Sequence, residues 1–277
     1  MRTLLVLTSV LFFGASCTRS IPVGPNPTTP PSNAYTAAPS GRAPLVLYDN
    51  FANMEASQLR WKKWVSGGAY IQFEPGLAVL DSPAVGDEFD GRPKLALLQI
   101  KDPATFAQPG DTLRVTFDMQ LLEDRPQAFG FGLTIGDPEG LRLGLGQFGQ
   151  KSGNGTPRDL FISGPHWQHG NTIDYGSGML HYDATFTRTS PKDHPANKPV
   201  KMRVLLRVYK HAPELDANPN GYSQKPQVAA LEDTGEIPAG GTCLIYFNTE
   251  RSDAPGDPYT NHARGKIAIT NIFLARP

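Results

Sequence analysis

From Leu45 onward, apolar and polar residues alternate with a period of two. Leu113, Val115, Phe117, Met119 and Leu121 are interleaved with Thr112, Arg114, Thr116, Asp118 and Gln120. Val200, Met202, Val204, Leu206 and Val208 are interleaved with Lys201, Arg203, Leu205, Arg207 and Tyr209. Successive side chains of a strand point to opposite faces, so each run predicts a strand with one buried face. Further strands are expected at 45–51, 69–73, 76–81, 95–101, 128–135, 140–148, 179–187, 242–248 and 266–274. Turn residues separate them, as in Glu74-Pro75-Gly76, Gln108-Pro109-Gly110-Asp111 and Asp137-Pro138-Glu139-Gly140. No long stretch keeps a helical period, and Met54 to Trp64 predicts no more than a short helical turn. The pattern is all-β, in a sandwich or a barrel.

Residues 1–17 follow a different logic. A cationic start, an apolar run from Leu4 to Phe13 and the small residues Gly14-Ala15-Ser16 before Cys17 make an export signal. The run is about half of the roughly 20 apolar residues a membrane-spanning helix needs. Residues 18–44 are rich in Pro, Ser, Thr, Ala, Asn and Gly and carry almost no large apolar side chains. Such a segment cannot bury enough surface to offset its ordering entropy, so an extended tether is expected, followed by one β domain over 45–277.

Formal net charge is zero, which argues against a nucleic-acid partner. The two cysteines are Cys17 and Cys243. Cys243 lies in the apolar run Thr242 to Phe247 and reads as a small buried hydrophobe rather than a catalytic thiol.

Two resemblances extend this reading. Phe13-Gly14-Ala15-Ser16-Cys17 resembles a bacterial lipobox, which implies lipid on Cys17 and attachment to a membrane. Gly14 stands where that motif usually has Leu, and ordinary signal cleavage would also accept Gly14 and Ser16. Thr18, in place of the Asp of inner-membrane retention, leans the lipobox reading towards an outer membrane or cell surface. If lipid occupies Cys17, Cys243 has no disulfide partner. Within the domain, Tyr48-Asp49-Asn50-Phe51, Trp61, Trp64, Gly68-Ala69-Tyr70 and Gly76-Leu77-Ala78-Val79 resemble the beginning of a concanavalin A-like jelly roll. Gly265-Lys266-Ile267-Ala268-Ile269-Thr270-Asn271-Ile272-Phe273-Leu274 resembles its last strand. The resemblance implies a β-sandwich of two antiparallel sheets, one of which often holds a glycan or polysaccharide in a concave groove. Fold alone does not license an activity.

Several residue groups could carry chemistry. Gly130 and Gly132 alternate with Phe129, Phe131 and Leu133, and Gly144 and Gly146 alternate with Leu143 and Leu145. In a hairpin these glycines share one face, forming either a ligand floor or a place where another segment packs closely. The Gly-, Ser-, Asn- and Pro-rich stretch 149–178 reads as a long loop. Within it Trp167 and Tyr175 could stack on sugar rings while Gln168, Asn171 and Asp174 bond hydroxyls; equally, Trp167 could anchor the loop. His166, His169 and His181 raise zinc, weakly. Asp216, Asn218 and Asn220 match the first half of a calcium loop, but Gln227 stands where a bidentate Glu belongs, so Ca2+ competes with a plain Asn/Pro/Gly turn.

Catalysis is less well supported. Glucanases of the resembled fold carry Glu-x-Asp-x-x-Glu along one strand; Glu88-Phe89-Asp90 begins that pattern, but Pro93 fills the place of the last Glu, so the motif is absent. A lyase would need a His or Tyr base with an Arg. His181, Tyr182, Arg142 and Arg207 are the candidates, although strand parity puts His181 and Tyr182 on opposite faces. Three readings stand: a carbohydrate-binding surface protein, a glycoside hydrolase or polysaccharide lyase using the same groove, and a non-catalytic envelope scaffold.

Overall fold

A computed structural model of the chain describes residues 43–82, 94–122, 127–134, 142–149, 158–163, 168–173, 178–251 and 265–276. In chain order they form β1 (Val46–Asp49), α1 (Met54–Arg60), β2 (Trp61–Val65), β3 (Tyr70–Glu74), β4 (Leu77–Ser82), β5 (Lys94–Ile100), β6 (Ala104–Thr105) and β7 (Thr112–Leu121). Next come β8 (Gln127–Thr134), β9 (Arg142–Gly149), β10 (Arg158–Ser163), β11 (Gln168–Ile173), β12 (Leu180–Arg188) and β13 (Val200–Lys210). Two 3₁₀ turns, Pro213–Leu215 and Pro219–Gln224, precede β14 (Gln227–Ile237), β15 (Thr242–Arg251) and β16 (Gly265–Ala275).

The strands make two antiparallel sheets. The first has the order β14-β13-β12-β7-β16-β4-β3, with β1 also on β16. The second has the order β11-β10-β9-β8-β15-β5-β2, with β6 on β15. The chain is therefore a two-sheet antiparallel jelly-roll sandwich, as the alternation and the resemblance implied. The last strand sits inside the first sheet: β7 lines one side of it, while β4 and then β1 share the other.

The inward phase of each strand fills the space between the sheets. Leu113, Val115, Phe117 and Met119 from β7 meet Phe131 and Leu133 from β8 and Ile245 and Phe247 from β15 in one core. Phe117 lies 4.9 Å from Phe131 and 5.0 Å from Phe247 between ring centroids, so one aromatic cluster bridges both sheets. Each fully buried Phe contributes roughly 1.5–3 kcal/mol of apolar burial. Cys243 belongs to this core, and burial pushes its thiol up to about 12.

The opening motif is a structural knot. Asp49 is buried, and its Oδ1 accepts from the Phe51 amide at 2.8 Å and the Ser57 hydroxyl at 3.0 Å. Its Oδ2 accepts from the Trp61 indole at 2.8 Å. Phe51 is held at φ 57°, a left-handed conformation uncommon for a side chain of this size.

Two expectations are corrected, and one strand lies where none is expected. The helical turn stops at Arg60, and Trp61 begins a strand instead of continuing the turn to Trp64. Residues 149–178 are not simply a loop, because they contain β10 and β11. β14 had no clear signal: this edge strand includes Glu232, Asp233, Thr234, Gly235 and Glu236, which favour strands poorly, and pairing with β13 holds it in place.

Candidate functional site

The outer face of the second sheet follows from the same parity as the core. On β5, Ala96, Leu98 and Ile100 point inward, so Leu95, Leu97 and Gln99 point outward. On β15, Ile245 and Phe247 point inward, leaving Tyr246 and Asn248 outward. Strand register aligns these positions in two rows. One runs Trp64, Leu97, Asn248, Gly130, Gly146; the other runs Lys62, Gln99, Tyr246, Gly132, Gly144. Leu95, Leu97 and Tyr246, with Trp64 packed on them, form an apolar cluster separate from the main core.

Polar groups are set among these apolar ones. The Trp64 indole donates to Gln99 Oε1 at 3.4 Å. Gln99 is 1 % exposed, yet its Nε2 has no hydrogen-bond partner. Lys62 is exposed, and its Nζ lies 4.1 Å from the centre of the Trp64 ring. Tyr246 and Asn248 are 3 % and 5 % exposed, while Trp64 is half-buried. The face is therefore exposed at β2 and already closed at β5 and β15. At Gly130 the bare backbone serves close packing: a Cβ there would run into the Asn248 amide oxygen.

The outer face of the first sheet carries a second polar cluster. Register aligns Thr270, Asp118, His181, Tyr209 and Gln227 across five strands. Asp118 and His181 are both almost fully buried, and His181 Nδ1 bonds Asp118 Oδ1 at 2.7 Å. Asn271, at φ 49° where the β16 register shifts, donates to Asp118 Oδ2 at 2.8 Å. A bulge of this kind re-aims a side chain. The two 3₁₀ turns cover the cluster. The Tyr222 ring stacks on His181 at 3.6 Å with 2° between the planes, and its hydroxyl accepts from the Ala212 amide at 2.8 Å. Burial raises the pKa of the Tyr222 phenol well above its ordinary value. Beside it, Arg114 forks onto both oxygens of Asp183, each at 2.9 Å.

The sequence-predicted residues fall out as follows. Gly130 pairs directly with Gly146, and Gly132 with Gly144, so the four glycines do share one face. Gln168, His169 and Asn171 lie in β11 of the same sheet, with His169 opposite Phe161 and Phe161 opposite Gly146. Trp167, Asp174, Tyr175, His166, Cys17, Glu88 and Asp90 lie outside the described residues. The lyase group is dispersed. His181 is on the outer face of the first sheet beneath Tyr222, while Tyr182 is in the core, stacked on Phe117 at 5.0 Å. Arg207 is opposite Asp183 on the first sheet, and Arg142 is in β9 of the second. Parity sets Tyr182 apart from His181 and Arg207, which share the outer face of the first sheet as diagonal neighbours, and sheet assignment sets Arg142 apart from all three. The zinc group is divided as well, since His169 and His181 belong to different sheets.

Asp216 and Asn220 of the calcium reading have protein partners in the fold. Asp216 Oδ1 bonds His211 Nε2 at 2.8 Å and Asn220 Oδ1 accepts from Arg114 at 2.8 Å, so these oxygens turn to separate protein donors. Asn218 precedes the second 3₁₀ turn and is exposed. Among the described residues, Asp118, His211 and Asp216 do bring donor atoms within 4.8 Å of one another. Within this group Asp216 Oδ1 bonds His211 Nε2, and Asp118 is also contacted by His181 and Asn271.

Lys62, Trp64, Gln99, Tyr246 and Asn248 were not singled out as site residues from sequence. Their signal is phase: each occupies the position that alternates with the core residues of its strand.

No protein-family model matches the chain, and no curated protein does. Similar solved structures include a lectin from Bauhinia forficata in complex with GalNAc, at TM-score 0.48 and 8 % identity over 85 % of this chain and 98 % of that one. A Bacillus licheniformis β-glucanase matches at TM-score 0.44 and 11 % identity, over 86 % and 99 %. The alginate lyase Aly36B matches at TM-score 0.44 and 14 % identity, over 85 % and 97 %.

Proposed function

We propose that the protein binds carbohydrate on the outer face of its second sheet, with the ligand approaching along β2. The unpaired Gln99 Nε2 carries this reading. A buried amide donor without an acceptor costs roughly 1–3 kcal/mol, and a ligand hydroxyl or carbonyl would supply the acceptor. Half-buried Trp64 beside it, packed on the Leu95, Leu97 and Tyr246 cluster, supplies the kind of apolar ring that sugar C–H groups pack against. Backbone without side chains at Gly132 and Gly144 continues the same row.

Glycan-array screening followed by calorimetry tests the proposal. Trp64→Ala and Gln99→Leu should each weaken binding at least ~10-fold, the range expected when a buried polar partner is lost. If the native protein bound no glycan, or if both variants bound like the native protein, the assignment would be wrong. We further propose that residues 1–17 direct export, that lipid on Cys17 anchors the chain, and that 18–44 tether the domain. Metabolic lipid labelling with a Cys17→Ser control checks the anchor; an unlabelled native chain would mean a secreted protein.

A further inference from the structure

The register of β2 on β5 sets Lys62 directly opposite Gln99, on the same outer face. Directly opposed residues on one face have their Cβ atoms roughly 4.5–5.5 Å apart, so the two side chains serve one ligand group. Both are donors without an acceptor. Gln99 Nε2 is buried and unpaired, and Lys62 rests its ammonium on the Trp64 ring with no ion pair among the described residues. Lys63 next to it is already engaged: its Nζ donates to the Ile71 carbonyl at 3.2 Å and lies 3.7 Å from the Phe73 ring centre. A neutral sugar would need hydroxyls to accept from both Lys62 and Gln99. A carboxylate accepts from an ammonium and an amide at once, and its charge compensates the cation as it is drawn in from water. Formal net charge is zero over the whole chain, so net charge adds no general attraction for an anion.

We infer that the ligand is an acidic glycan, with the carboxylate of a uronic acid unit held between Lys62 and Gln99 beside the Trp64 ring. This rests on the carbohydrate-binding reading above and specifies its substrate class. The full-length protein would be titrated with polygalacturonate, alginate and hyaluronan, with a carboxyl-reduced form of each, and with dextran sulfate, at low and high salt. At least one polyuronate should bind roughly 10-fold tighter than its carboxyl-reduced form, the scale of one hydrogen bond to a charged group. The preference should shrink with salt because Lys62 is exposed. Lys62→Gln should abolish that preference while leaving the melting temperature unchanged. Equal binding of acidic and reduced polymers would overturn the uronate assignment and leave the carbohydrate site standing. Dextran sulfate binding as tightly as any polyuronate would reduce the pair to a nonspecific cation and also overturn it. Binding of no polymer, acidic or neutral, would refute both readings.

Discussion

Gln99→Leu separates a ligand contact from a structural one, because the two roles predict opposite changes in stability. The native side chain is 1 % exposed and leaves Nε2 unpaired, a penalty of roughly 1–3 kcal/mol. Leucine removes the penalty and packs against the apolar cluster of Leu95, Leu97 and Tyr246. Against this stands the Trp64 indole bond to Gln99, which is long at 3.4 Å and contributes about 0.5–1 kcal/mol at most. Trp64 is half-buried, so water can replace part of that bond. The balance favours the variant by about 0–2 kcal/mol, or a rise in melting temperature of up to several degrees at about 2–4 °C per kcal/mol. Urea unfolding and calorimetry on the same preparations provide the readout, with glycan binding measured alongside. Gln99→Leu should be at least as stable as the native protein and should bind at least ~10-fold more weakly. Destabilisation by more than about 1 kcal/mol would show that Nε2 is satisfied within the fold, and the reasoning would fail.

Four other outcomes follow from the geometry. Asp49→Ala strands the Phe51 amide and the Trp61 indole and should cost about 3–5 kcal/mol in urea unfolding; Asp49→Asn, which keeps one acceptor, should cost about half as much. Gly130→Ala should cost about 1–3 kcal/mol through collision with Asn248, and an Asn248→Ala background should recover at least ~1 kcal/mol of that in a double-mutant cycle. Tyr222→Ala should destabilise by about 3–5 kcal/mol, because it uncovers His181, yet leave glycan affinity unchanged, because it lies on the opposite sheet. Cys243 should resist an aromatic disulfide reagent at pH 8 until the chain is unfolded. Its raised folded pKa means that its contribution is intact below the unfolded value of about 8.5 and is lost as pH rises towards about 12, visible as falling alkaline stability.

What the sequence could express was phase within a strand. Period-two alternation located β7 and β13, put the four glycines on one face, and placed His181 and Tyr182 on opposite sides. Phase says nothing about which strand lies beside which. Trp64, Gln99 and Tyr246 meet only because β5 sits between β2 and β15, a pairing of segments far apart in the chain. For the same reason His181 and Arg142, both on strands, look like possible partners until the topology assigns them to different sheets. The segment over His181 was hidden for another reason. Asp216, Asn218 and Asn220 have the composition of a cation loop, and only the positions of His211 and Arg114 reveal that two of them are hydrogen-bond partners to the protein.

The place of β16 has a bearing on how the molecule is made. Its residues, Gly265–Ala275, lie between β7 on one side and β4 and β1 on the other. A nascent chain emerging from a ribosome therefore lacks this interior strand of its first sheet until Gly265–Ala275 have been synthesised. Everything earlier must wait, with the halves of that sheet unjoined, and long-range pairing of this sort slows folding. It also means that losing Gly265–Ala275 would remove the seam of that sheet.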